Sequence, residues 1–255
     1  MLLRRSSTLL RTRIPIASPR ISSTARSAIL NNYFNRSPVY THSKMPLVTI
    51  SQSLDESYTK HKVVPDVIDQ FQTQGLLTIE YGPTEQVTLG NELSVSGTQH
   101  TPKIQLTLNS PTQDGKIESI TETDKFILVL TDPDAPSNSD HKWSEYLHWL
   151  VTDLQLTTGS QAKEGEQISH QIEVSQGREL VPYMGPGPPP KTGKHRYVFL
   201  LYKQDSSANS LTAPSDRPNW GTGVPSSGVR DWINKNAPAS KLLSVNFFYA
   251  QNTDN

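Results

Sequence analysis

The 255 residues contain no cysteine, which excludes disulfides, thiolate zinc sites and cysteine nucleophiles. A chain free of disulfides fits a reducing compartment. No run approaches the ~20 consecutive apolar residues that a spanning helix needs. Gly-x-Ser-x-Gly does not occur, which argues against a serine hydrolase built on that elbow. His-Glu-x-x-His is missing too, and no close-spaced ligand pair replaces it, so a metal site is a weaker reading than an anion site. Gly187 and Gly193 have five residues between them and Lys194 precedes His195, not Ser or Thr, so no phosphate-binding P-loop is encoded.

Acidic residues are missing from one part of the chain. Positions 1–44 hold seven Arg and one Lys with no Asp or Glu, although the formal net charge of the whole is zero. Rich in Arg and Ser, with scattered apolar residues, this leader has the composition of a mitochondrial transit peptide. A disordered basic tail, or a start at Met45, would account for it equally. In every case residues 1–44 stand apart from a folded part, 45–255. That part carries 16 basic and 24 acidic groups, a net of −8, which excludes nucleic-acid binding through bulk charge.

What the folded part does contain is short strands. Residues 76–81, 87–95, 104–108, 126–130, 147–154, 168–174, 197–202 and 243–250 read as strands by apolar alternation or by continuous apolar runs. Residues 126–130, apolar throughout, belong at the centre of a sheet. Helices are marginal: 53–62, with Ser53 and Glu56 as a capping box; a turn or two at 66–72; and 229–236 behind Ser226 and Ser227. Polar loops at 109–124, 157–167 and 203–227 belong on the surface. The expected fold is mainly β, an antiparallel β-sandwich with a few peripheral helices, in one domain.

Two stretches draw attention. Gly185-Pro-Gly-Pro-Pro-Pro-Lys-Thr-Gly-Lys-His195 cannot be helix or central strand and runs directly into the strand at 197–202. It is either a plain surface loop or the rim of a ligand site, with His195 and Tyr197 projecting to one face. Asp132-Pro-Asp-Ala-Pro-Ser137 follows the strand at 126–130. Asp134 reads as a turn residue bonding nearby amides, whereas Asp132, at the strand end, reads as functional. His148 lies in an otherwise apolar strand. A buried imidazole needs a partner for each nitrogen, and Asp132 and His195 are candidates. Asp132, His148, His195 and Tyr197, with the Gly/Pro loop, would together accept phosphate, sulfate or carboxylate.

These motifs resemble those of the phosphatidylethanolamine-binding protein (PEBP) family, and most of all its fungal carboxypeptidase-inhibitor branch. The likeness rests on Asp132-Pro-Asp-Ala-Pro-Ser137, His148, Gly185-Pro-Gly-Pro-Pro189 and Gly193-Lys-His-Arg-Tyr197. It extends to Asp140-His-Lys-Trp-Ser-Glu145, Tyr183-Met-Gly185, Asp216-Arg-Pro-Asn-Trp-Gly221 and Asn246-Phe-Phe-Tyr-Ala250. The resemblance implies a Greek-key β-sandwich (PEBP-like) and a pocket formed by Asp132, His148, Pro188, Pro189, His195 and Tyr197, walled by Ala135, Pro136 and Gly187. It implies a non-catalytic protein that inhibits a serine carboxypeptidase and binds anionic phospholipid head groups or phosphate, without cofactor or metal. Contact with a membrane would be peripheral at most. The branch is also linked to a Ras GTPase-activating protein, so a regulator of Ras or kinase signalling is the alternative. A phosphate-ester hydrolase using His148 and His195 as acid and base is a third. Many family members have a second His where this chain has Leu147, and a Tyr where it has Phe248. Inhibitors of this branch dock a blocked amino terminus on the peptidase, which the 44-residue extension would obstruct. The expected location is the cytoplasm, with the vacuole as a second compartment, or the mitochondrion if residues 1–44 act as a transit peptide.

Overall fold

Apolar strands long enough to be covered on both faces set the architecture. The computed structural model describes residues 47–109, 119–158, 169–208 and 210–254, all within the compact unit Met45–Asn255; residues 1–44, and with them the leader reading, lie outside the described residues. Among the described residues, ten strands form two sheets. One has the order β1 (Gly75–Glu80), β3 (Lys103–Leu108), β7 (Ser169–Ile172), β6 (Leu156–Thr158). The other runs β2 (Asn91–Glu92), β10 (Lys241–Ala250), β9 (His195–Lys203), β4 (Phe126–Asp132), β5 (Tyr146–Leu154), β8 (Arg178–Val181). All pairs are antiparallel except β2 against β10.

The larger sheet is buried on both sides, so the expected β-sandwich is present and its peripheral helices add a third layer. On one face Phe126, Leu128, Leu130, Phe199, Leu201 and Phe248 pack against Leu77, Ile79, Ile104 and Leu106 of the smaller sheet. On the other, Ile127, Val129, Val198 and Leu200 pack against Leu54, Tyr58, Trp220 and Trp232. This is why β4 is apolar at successive positions: each neighbour serves a different core, and both must be dry. Leu54 and Tyr58 come from helix α1 (Leu47–Lys60), and Trp232 from α3 (Val229–Asn236). The Tyr58 hydroxyl donates to the Val245 carbonyl at 2.8 Å, fixing α1 on the sheet.

Several sequence expectations need correction. Helix α1 begins at Leu47, so Ser53 and Glu56 lie inside it and form no cap. It stops where Lys62 turns left-handed (φ 55°), a conformation that ends an α-helix. The second helical turn is α2 (Val63–Asp66), not 66–72; Val67 and Ile68 are nevertheless buried beside it. Residues 87–95 give only the two-residue β2, because Leu89 (φ 49°) and Gly90 (φ 101°) bend the chain out of the sheet. The Asn91 amide secures the bend, accepting from Thr88 N and donating to the Gln86 carbonyl at 2.8 Å each. The loop at 203–227 is not purely superficial, since Leu211 and Trp220 are buried in the helix-side core. The other two loops lie largely outside the described residues.

Candidate functional site

Strand order places the chemistry. β4 lies between β9 and β5, so Asp132 at the end of β4, His195 at the start of β9 and His148 on β5 converge at one end of the larger sheet. The Gly/Pro loop then closes over them. It is pinned by reciprocal bonds: Met184 N donates to the His148 carbonyl at 2.9 Å, and His148 Nδ1 faces the Met184 carbonyl at 2.8 Å. Gln99 Nε2 donates to the Pro186 carbonyl at 2.8 Å, and the Tyr183 hydroxyl to the Thr98 carbonyl at 2.7 Å. Gly185 leaves room for this contact, since a Cβ would come 2.8 Å from the Gln99 amide and displace it.

The result is a cavity of about 180 Å³ walled by all nine residues expected from sequence: Asp132, Ala135, Pro136, His148, Gly187, Pro188, Pro189, His195 and Tyr197. Trp143, Tyr146, Met184 and Gly185 complete the wall and were not foreseen. Tyr146 was within reach of sequence reasoning, since it lies two residues before His148 on one strand; the rings sit 5.4 Å apart. Trp143 and Met184 belong to motifs that carried the family resemblance, and both are exposed at the cavity's edge.

Proton bookkeeping assigns the charges. His195 Nδ1 lies 2.8 Å from Asp132 Oδ2, and a carboxylate accepts, so Nδ1 carries a proton. His195 Nε2 lies 3.0 Å from Thr192 Oγ1, whose single proton is donated to the Pro189 carbonyl at 2.7 Å. The ring is thus held on both sides, by the carboxylate and by the loop hydroxyl. His148 differs. Its Nδ1 proton goes to the Met184 carbonyl, and burial lowers its pKa, only partly offset by the Asp132 charge, so the ring is neutral. Tyr197 packs its ring edge-on to His148 at 5.1 Å and stacks on Phe248 at 5.3 Å. Burial first, and then the Asp132 charge, keep its phenol protonated. The Asp132 carboxylate, the His195 and His148 rings and the Tyr197 phenol form the polar part of a wall that is otherwise apolar and aromatic.

Asp134 departs from the turn role expected of it. Asp132 bonds within the turn, accepting from Asp134 N at 2.7 Å. The Asp134 carboxylate instead grips Arg196, accepting from Nε at 2.9 Å, Nη2 at 2.8 Å and the backbone N at 2.8 Å. Behind the site, fully buried Glu145 accepts from Val229 N at 3.3 Å, at the start of α3. Desolvation pushes its pKa up to about 8. Gly228 is obligatory beside it, since a Cβ would lie 2.0 Å from the Glu145 carboxyl carbon. Leu147, in place of the second family histidine, is fully buried in the helix-side core.

Comparison with known proteins finds relatives over most of the chain. The Saccharomyces cerevisiae carboxypeptidase Y inhibitor is 39% identical over 215 residues, covering 80% of this chain and 97% of that protein. FLOWERING LOCUS T of Arabidopsis thaliana is 35% identical over 161 residues, covering 63% of this chain and 75% of that protein. Among solved structures, a carboxypeptidase Y inhibitor complexed with its cognate proteinase superposes with a TM-score of 0.69 at 38% identity, covering 80% of this chain and 97% of that one. A Plasmodium vivax phosphatidylethanolamine-binding protein shares the fold, with a TM-score of 0.56 at 22% identity and coverage of 78% and 97%. The family model for phosphatidylethanolamine-binding protein matches residues 68–248, and the chain belongs to that family.

Proposed function

We propose that this protein is a non-catalytic inhibitor of a serine carboxypeptidase whose end-of-sheet cavity holds a phosphate-like anion, free or as a phospholipid head group. The observation that carries the inhibitor reading is the likeness to the yeast carboxypeptidase Y inhibitor over 97% of that protein's length. The anion reading is supported by the His195–Asp132 pair beside neutral His148 and the Tyr197 phenol.

Asp132, His195 and Thr192 stand in line, at 2.8 and 3.0 Å, like a carboxylate, base and nucleophile. Thr192 Oγ1 also lies 2.7 Å from the Pro189 carbonyl, which ties this hydroxyl to the Gly/Pro loop.

The test is inhibition of carboxypeptidase Y by the full chain and by the 45–255 form, alongside calorimetric titration with sulfate. Nanomolar-to-micromolar inhibition by the 45–255 form is expected, and weaker inhibition by the full chain if residues 1–44 obstruct docking. Full peptidase activity at high excess of both forms would refute the inhibitor reading. Recovery of signalling proteins without any peptidase in a pull-down would favour the Ras-linked alternative.

A further inference from the structure

Residues on β9 alternate between the two cores, and one of them joins the cavity to the N-terminal helices. His195 and Tyr197 face the cavity; Arg196, between them, faces the other way and is only 7% exposed. A buried guanidinium must satisfy its donors. Its Nε and Nη2 go to Asp134. Its Nη1 donates to the carbonyls of His61 at 3.0 Å and Lys62 at 2.9 Å, and pairs with Asp66 at 2.9 Å. Those groups lie just past α1 and in α2, at the left-handed Lys62, whose carbonyl also accepts from Asp66 N at 3.3 Å.

The network is contiguous. From the cavity it runs His195, Asp132, the amide of Asp134, the Asp134 carboxylate, Arg196, and then the 61–66 segment. A second tie fixes the same segment to the sheet, with His61 Nδ1 3.0 Å from the hydroxyl of Tyr249, the residue paired with Arg196 across β9 and β10. Fixing the cavity end therefore fixes the guanidinium, and fixing the guanidinium seats the helical segment.

We propose that Arg196 is a positioning residue that couples the α1–α2 junction to the cavity, so that anion occupancy and seating of residues 61–66 stabilise each other. The anion half of this statement rests on the cavity reading above. For an inhibitor whose N-terminal segment meets the peptidase, it makes the anion a co-ligand of inhibition, and by reciprocity makes peptidase binding tighten the anion.

Asp66 provides the test, since it touches Arg196 from the helix side and lies outside the cavity. In the ligand-free full chain, Asp66→Asn should speed amide hydrogen exchange not only at 61–69 but also at 132–136 and 192–197, while Asp66→Glu should restore native exchange. Acceleration confined to 61–69 would overturn the coupling. With inorganic sulfate as probe, native protein should gain protection at 61–66 on binding. Asp66→Asn should then raise the sulfate dissociation constant about fivefold, the lower end of ordinary coupling energies. Unchanged sulfate affinity in that variant would also overturn the coupling. If the native chain takes no sulfate at all, the cavity reading falls by itself and the ligand-free exchange decides the coupling.

Discussion

Asp132 and His195, 63 positions apart, meet carboxylate to imidazole at 2.8 Å with both side chains almost completely buried. An exposed pair of this kind would contribute little; a buried one fixes the orientation and charge of the imidazole. Asp132→Asn should therefore reduce sulfate affinity by roughly tenfold, the scale of one charge-assisted hydrogen bond. Calorimetry at pH 6 measures it, and unchanged affinity would remove the carboxylate from the binding mechanism.

The two histidines should separate in their pH behaviour. Sulfate keeps its charge across the neutral range, so any pH dependence reports the protein. An anion held by an imidazolium should lose affinity as pH rises. His195→Gln should flatten that profile. His148→Gln should leave its slope intact, because burial already holds that ring neutral. A profile flattened by the His148 variant alone would reverse the assignment of the cation.

Stability should decline on both sides of a window. Glu145 has its pKa raised from 4.5 to about 8. Below pH 4.5 the folded and unfolded carboxyls are both protonated and the group costs nothing. Between 4.5 and about 8 only the unfolded chain ionises, so stability falls as pH rises, and above about 8 the penalty is constant. Its ceiling is on the order of 5 kcal/mol. His148, lowered from 6.5, acts in the opposite direction: below that value the unfolded ring takes up a proton that the buried ring refuses, so stability falls with acid. Urea midpoints at several pH values, compared with Glu145→Gln, test the first limb. The variant should lose most of the decline between pH 5 and pH 8.

Gly228→Ala should be among the most damaging small substitutions. Its Cβ would stand 2.0 Å from the Glu145 carboxyl carbon, in a fully buried setting that cannot relax outward. A loss of about 3 kcal/mol is expected, read as a fall in melting temperature. Gly187→Ala, where a Cβ meets nothing within 4 Å, should be neutral for stability.

Much of this was legible in the sequence, and what was not has physical causes. The strands at 126–130 and 197–202 announced themselves through continuous apolar residues, and the same continuity hints at the third layer once each neighbour is given its own core. The bend at 89–91 was hidden because its apolar spacing imitates a strand. Its real determinants are the Asn91 amide and that of Asn246, which accepts from Leu89 N at 3.0 Å from 157 residues away. The cavity residues lay in recognisable motifs, but their supports did not. Gln99 holds Pro186 across 87 positions, and Arg196 meets Asp134 across 62. Such pairings depend on which strands become neighbours, which no local pattern states. Asp134 was misjudged for that reason.

The margins of the larger sheet bear on how a partner could approach. One border is the two-residue β2 and the other the four-residue β8. Neither offers enough unpaired backbone to enrol an extra strand from another chain. At these two borders the larger sheet therefore offers a partner side chains and loop tips, not a long free strand.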